Sequence, residues 1–370
     1  MNWKLIADDL SLRQMLAQHA GARAVAVDTE FMRRDTFYPQ VALLQLCFGD
    51  GAWLVDPLAI ADTGPLAQLL QLPELVKVLH SPSEDLEVFQ RWLGALPQPL
   101  FDTQRAAALL NRGFGLGYRA LVQQVCGVDL PKDETRSDWL QRPLSEAQCQ
   151  YAAQDVSYLL DVYRTLQRDC ESAGKLNWVL EDGADAVAAQ QAAPDPHYLR
   201  IKHAWQLNPR ELGALAALCE WRELTARERD KPRSWVVKDQ DCLEIARADP
   251  ANMNELRAAV ALPPSSLRRY GEALLDVLAA QRAVPEDQLP PPLAPPPAAR
   301  ERDLAKRLKK KTRSLAQALD VAPEILLSGR DFDALARGVA AGGDEPRHWR
   351  GWRARAVLAP LKKLLEESDA

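Results

Sequence analysis

The six cysteines (Cys47, Cys126, Cys149, Cys170, Cys219 and Cys242) are scattered, and no two stand in a CxxC pair. That spacing argues against a zinc site or a disulfide framework, and it suits a reducing compartment. Long apolar runs are missing too. Even "RAVAVDTEF", residues 23–31, is broken by acids within a few positions, so no segment reads as a membrane span. The N-terminus "MNWKLIADDL" lacks a basic flank followed by an apolar core, the pattern of a secretion signal. The expectation is a cytoplasmic protein with no membrane partner.

A strong net charge is also lacking. At −5 over 370 residues, the total by itself predicts no polyanion partner. The two halves differ, however. Residues 1–200 hold 17 Lys and Arg against 26 Asp and Glu, whereas residues 201–370 hold 29 against 25. An acid-rich half suits metal ions, and a basic half suits phosphates. With 47% hydrophobic and 26% charged residues, a chain of this length reads as globular, with two or three domains.

What is present begins with alternation. "RAVAVDTEF" reads as a strand, and "VALLQLCFGDGAWLVD" as two strands around the turn "GDG". "DTGPLAQLLQL" is helical, "ELVKVLH" a strand and "SPSEDLEVFQRWLGAL" a helix. "PLFDTQRAAALLNRG" is a short strand leading into a helix that Gly113 ends. Helices dominate to about residue 190, so residues 1–200 form an α/β domain in packed layers. Residues 205–285 read as an all-helical domain. The stretch "PEDQLPPPLAPPPAAR" cannot continue a helix and favours an extended spacer, placing a linker at 286–299. Residues 300–370 form a second helical block of similar size, and the two blocks read as diverged copies of one small bundle.

Chemistry concentrates in three segments. In "VAVDTEF", Asp28 and Glu30 lie two apart on a strand and so share a face. In "HSPSEDLEVF", Ser81, Pro82 and Glu84 form a capping-box pattern, which places Asp85 in a helix's first turn near a strand's carboxyl end. In "QCQYAAQDVSYLLDVYR", Tyr151 and Asp155 are four apart on one helical face. Each segment alone also has an ordinary structural explanation. Were they to converge, four carboxylates would repel and some would protonate. Divalent ions remove that conflict, and oxygen-rich ligation suits Mg²⁺ or Mn²⁺. Two such ions about 3.5–4 Å apart can clamp the attacking and leaving oxygens of a phosphodiester.

These three motifs, with "FDTQRAAALL" and "LPKDETRSDWLQRPLSEAQCQYAAQD", resemble the DEDD exonuclease superfamily in its tyrosine-containing branch, and within it the ribonuclease D family. "LGALAALCEWRELTARERDKPRSWVVKDQDCLEIA" and "LPPSSLRRYGEALL" resemble an HRDC domain, and the block after the prolines resembles a more degraded copy. The resemblance implies a ribonuclease H-like mixed sheet with flanking helices, followed by two small HRDC-like bundles. It implies Asp28, Glu30, Asp85 and Asp155 as ligands of two divalent ions, with Tyr151 orienting or helping to deprotonate the attacking water. It further implies a monomeric 3′→5′ exoribonuclease that releases nucleoside 5′-monophosphates. Its partners would be RNAs with a free 3′ end, above all tRNA precursors. The alternatives are a DNA-directed exonuclease with the same machinery and a non-catalytic nucleic-acid-binding adaptor.

Other residues carry weaker expectations. Phe31 follows the acidic strand end and is a candidate for stacking on the terminal base. In the basic run of residues 300–313, Lys309, Lys310 and Lys311 are candidates for holding phosphates. Gln45 reads as a satisfied core amide, Asp102 as a helix cap, and His80, Trp349 and Trp352 as structural. Lys132, Arg136 and Arg142 read by default as solvated surface. Ser145 and Gln148 stand at capping-box spacing.

Overall fold

Six strands make one mixed sheet: β1 (Trp3–Ile6), β2 (Ala24–Met32), β3 (Gln40–Cys47), β4 (Ala52–Val55), β5 (Val76–Leu79) and β6 (Leu100–Asp102). The computed structural model describes residues 2–131, 137–338 and 345–369. The strand order is β1-β4-β3-β2-β5-β6, with β3 antiparallel to both of its neighbours and the remaining pairs parallel. β2 thus sits centrally, between β3 and β5, as expected for its near-continuous apolar run.

Helices α1 (Asp9–Gln18), α2 (Gly64–Gln71) and α3 (Ser83–Trp92) cover one face of the sheet. They bury Leu12, Leu66 and Phe89 against Val25, Val27, Leu44 and Leu46. After α4 (Thr103–Leu109) and α5 (Tyr118–Cys126), the opposite face receives α6 (Glu146–Ser157) and α7 (Leu159–Ser172). There Ala152, Ala153 and Val156 pack with Ala26, Leu43, Cys47 and Leu54. Alternate strand residues therefore feed two different cores, the period-2 pattern of a sheet buried on both sides. Helix α8 (Leu176–Gln191) crosses β6 so closely that a Cβ on Gly183 would collide with the carbonyl of Leu100.

The chain divides into two compact units. One comprises Arg33–Pro39 and Ala192–Pro296, with α9 (Pro209–Glu228), α10 (Arg233–Val236), α11 (Asp239–Ala248), α12 (Met253–Ala259) and α13 (Pro264–Arg282). Its core holds Leu212, Leu215, Leu218, Leu243, Leu256 and Leu274, together with Phe37 from the segment inserted between β2 and β3. Asp230 fixes that segment by accepting from the backbone N–H groups of Phe37 at 2.9 Å and Tyr38 at 3.0 Å.

The other unit comprises Met1–Met32, Gln40–Gln191 and Pro297–Ala370. The segment expected as a second helical block, with α14 (Ala299–Leu319) and α15 (Gly329–Ala336), thus shares a unit with the sheet. Leu308, Ala316, Val321, Trp349 and Trp352 belong to the same apolar core as α6 and α7. Trp178 and Trp352 stack with centroids 4.5 Å apart, and Lys175 donates to the carbonyls of Leu109 at 2.9 Å and Asp320 at 2.8 Å. Buried Asp182 receives Arg353 at 2.5 Å, Arg105 at 2.6 Å and the indole N–H of Trp352 at 2.9 Å. No described helix is long and apolar enough to cross a membrane.

Candidate active site

The carboxyl half of β2 presents Asp28 and Glu30 on the face covered by α6, whose Asp155 points back at them. Ligand oxygens of Asp28, Glu30 and Asp155 lie within 4.8 Å of one another, and the three side chains are partly buried. The register places Asp28 opposite Gln45 and Glu30 opposite Leu43, with a bulge between Glu30 and Phe31 that ends the regular pairing. Thr29 faces the other way, and its hydroxyl donates to Oδ1 of Asp85 at 2.5 Å. That bond ties the first turn of α3 to the acidic strand.

The local sequence accounts for α6 as expected. The Ser145 side chain accepts from the Gln148 backbone N–H at 3.2 Å, and the Gln148 side chain accepts from Ser145 N–H at 2.9 Å. The start of α3 differs from expectation. Pro82 is its N-cap with no side-chain bond, and Ser81 adopts a left-handed φ of 57°. Ser81 instead gives its N–H to Asp102 at 3.1 Å. Asp102, which caps α4 by accepting from Gln104 at 2.8 Å, thereby takes the Ser81 N–H that a capping box would pair with Glu84.

Electrostatics mark the cluster. Burial, then the charges of Asp155 and Asp85, push Glu30 up to about 9. Burial raises Asp155 to about 7 against an opposing hydrogen bond from Tyr151. Burial raises Asp85 to about 6 against the Thr29 bond, and it holds Asp28 well above the usual carboxylate range, reinforced by Asp85, Asp155 and Glu30. Bare of cations, these acids cannot all ionise near neutral pH. Burial and the neighbouring carboxylates also raise the Tyr151 phenol above its ordinary value, so it remains a proton donor to Asp155. Trp139 lies against Tyr151, ring centroids 6.0 Å apart.

Tyr118 went unnoticed in the sequence. Its hydroxyl donates to the Gln154 carbonyl at 3.0 Å, and Asp155 and Asp28 add to burial in raising its phenol. A tyrosine opening an amphipathic helix carries no signal of such a neighbour; only the chain's path brings it there. His80 is structural as expected, bonded to Thr103 at 2.9 Å and the Leu116 carbonyl at 3.0 Å. Trp349 and Trp352 are buried. Arg142 is not solvated surface: it grips Asp56 at 2.6 and 2.7 Å and the Ala42 carbonyl at 2.6 Å. Gln45 is fully buried as expected, but neither amide atom has a partner among the described residues. Phe31 is only partly buried, and Lys309, Lys310 and Lys311 lie exposed on α14. Lys132 and Arg136 lie outside the described residues.

A family model described as 3′-5′ exonuclease matches residues 4–171, and the HRDC domain model matches residues 211–278. Ribonuclease D of Pseudomonas paraeruginosa is 43% identical, covering 98% of this chain and 97% of its own. Ribonuclease D of Escherichia coli is 37% identical, covering 99% of both. The crystal structure of E. coli RNase D, described as an exoribonuclease involved in structured RNA processing, superposes with a TM-score of 0.93 at 36% identity over 99% of each chain. With an α/β exonuclease domain, a helical HRDC region and relatives matched from end to end, the chain belongs to the ribonuclease D family of 3′-5′ exonucleases.

Proposed function

We propose that the protein is a 3′→5′ exoribonuclease that trims the 3′ ends of tRNA precursors and other small structured RNAs, releasing nucleoside 5′-monophosphates. The observation that carries this reading is the convergence of Asp28, Glu30 and Asp155 within 4.8 Å, with Asp85 tethered to the same strand through Thr29. The donor set is all carboxylate oxygen, which fits hard divalent cations such as Mg²⁺ or Mn²⁺. In this reading Asp28, Glu30, Asp85 and Asp155 hold two ions. When bound, such ions neutralise charge on the reacting phosphodiester.

The chain's own groups supply the rest. Tyr151 keeps its proton, fixes Asp155 through its hydroxyl and orients the attacking water. Phe31, partly exposed after the bulge, stacks on the terminal base. Lys309, Lys310 and Lys311 hold phosphates of the RNA body, and the HRDC module adds to that grip. Residues 300–370 act as a second, diverged HRDC-like bundle, and the protein works as a monomer in the cytoplasm. RNA is favoured over DNA because the end-to-end relatives are ribonucleases.

The test compares wild type with Asp28→Asn and Asp155→Asn on a 3′-extended tRNA with Mg²⁺, beside matched RNA and DNA oligomers with free 3′ ends. Both variants should lose trimming, and the RNA oligomer should be the better substrate. Undiminished trimming by either variant would remove the cation site. Preference for the DNA oligomer would remove the RNA assignment.

A further inference from the structure

Gln45 is a fully buried primary amide that the fold leaves unexplained, with both of its polar atoms, Oε1 and Nε2, orphaned among the described residues. A buried primary amide brings two donors and an acceptor, and leaving them unmade costs free energy that a leucine or methionine of similar volume would not incur. Such an orphaned group calls for a specific reason.

Its position supplies one. Gln45 lies directly opposite Asp28 in the antiparallel β2–β3 pair and opposite Leu54 in the β3–β4 pair. Directly paired residues point to the same face with Cβ atoms about 4.5–5.5 Å apart. The row Asp28, Gln45, Leu54 therefore runs from the acidic cluster into the apolar core, beneath α6. Leu43 and Cys47, two residues to either side on the same strand, face that core. Among the side chains in this row, only Asp28 is polar enough to use an amide. Complete burial rules out direct contact with RNA, so the amide must act through a neighbour.

We infer that Gln45 is a positioning residue: its side-chain amide holds the Asp28 carboxylate in its ligating orientation when a divalent cation is bound. Ligating carboxylates are themselves hydrogen-bonded in metal sites, and removing such a partner typically lowers metal affinity 10–100-fold. Across the β2–β3 pair, an Asp28 carboxylate oxygen is the acceptor that Nε2 faces. This inference rests on the reading of Asp28 as a cation ligand.

The test measures Mn²⁺ binding by calorimetry on the full chain, with no RNA and no activity readout. Wild type, Asp155→Asn, Gln45→Leu and Gln45→Met are compared, and the melting temperature of each is recorded without metal. Expected is wild-type binding that Asp155→Asn abolishes, and a dissociation constant raised at least tenfold in both Gln45 variants. Their metal-free melting temperatures should equal or exceed that of wild type, because the unmade hydrogen bonds of the amide are gone. If leucine disturbs the fold, the unbranched methionine carries the comparison. A dissociation constant within twofold of wild type in a folded Gln45 variant overturns the positioning role. Undiminished binding by Asp155→Asn, or none by wild type, overturns the cation-site reading and this inference with it.

Discussion

Tyr151 illustrates how the local field decides what a side chain can do. A free phenol is already a poor base near neutral pH, and burial beside three acids makes it poorer. Its usable chemistry is therefore donation, and its partner is Asp155. Tyr151→Phe retains the packing against Trp139 and deletes that bond. The expected outcome is a kcat lowered roughly 10–100-fold, with KM little changed and the melting temperature within a degree or two of wild type. A larger effect on KM than on kcat would mean that Tyr151 acts in RNA binding instead. The pairs Asp28–Glu30 and Tyr151–Asp155 are legible as same-face pairs because their spacing is local, two apart on a strand and four apart on a helix. Joining them with Asp85 in one site rests on the family resemblance. Thr29, Tyr118 and Gln45 were not legible, because their relation to the site runs through strand register and helix packing. No short motif encodes that a glutamine on β3 faces an aspartate on β2.

At the scale of elements, the joint between β5, α4 and the loop at Leu116 depends on His80. Burial depresses its imidazole from 6.5 to about 4, against a raising contribution from the Leu116 carbonyl. The folded state therefore prefers the neutral ring. Between about pH 6.5 and 4 the unfolded chain binds more protons at this position, so stability rises with pH there. The contribution is complete above 6.5 and is lost as pH falls toward 4, up to about 3 kcal/mol. His80→Gln should flatten the fall in melting temperature between pH 7 and 4.5 relative to wild type; parallel profiles would refute the assignment. Elements were mostly legible where periodicity was clear: the strands now called β2, β3, β4, β5 and β6, and the cap of α6. The start of α3 differs from the capping-box pattern because a distant residue takes part. Asp102, the cap of α4, accepts the Ser81 N–H that the pattern assigns to Glu84, and Pro82 becomes the N-cap of α3.

At the scale of the whole molecule, the sequence showed where the proline-rich spacer lies but not what the following segment packs against. A helix pattern reveals that a face is apolar and is silent about which core receives it. Here α14 and the tryptophans after it share a unit with the sheet, anchored by Asp182 and Arg353. Both side chains are almost fully buried, so removing one partner leaves a stranded charge. Arg353→Met should cost about 3 kcal/mol or more in urea unfolding, since only Arg105 would remain to neutralise Asp182. Arg347→Ala breaks an exposed pair with Asp185 and should cost under about 1 kcal/mol. Equal losses in the two variants would mean that the buried pair does not anchor the segment.

That anchoring also dictates how RNA capture must be tested. Deleting residues 201–370 would strip Leu308, Trp349 and Trp352 from the core they share with α6 and α7, so any change in binding would be confounded by unfolding. Charge substitutions on α14 avoid this. Lys309, Lys310 and Lys311 are exposed, whereas the packing face of α14 is made by Ala305, Leu308, Thr312 and Ala316. Replacing all three lysines with alanine should leave folding intact. Each phosphate contact contributes about 0.7 to the slope of log affinity against log salt for a single strand. The triple variant should therefore bind a 3′-extended tRNA more weakly at low salt, with a slope shallower by up to about 2. A single phosphate contact would reduce the slope by less than one. An unchanged slope with unchanged affinity would assign capture of the RNA body to residues other than these three lysines.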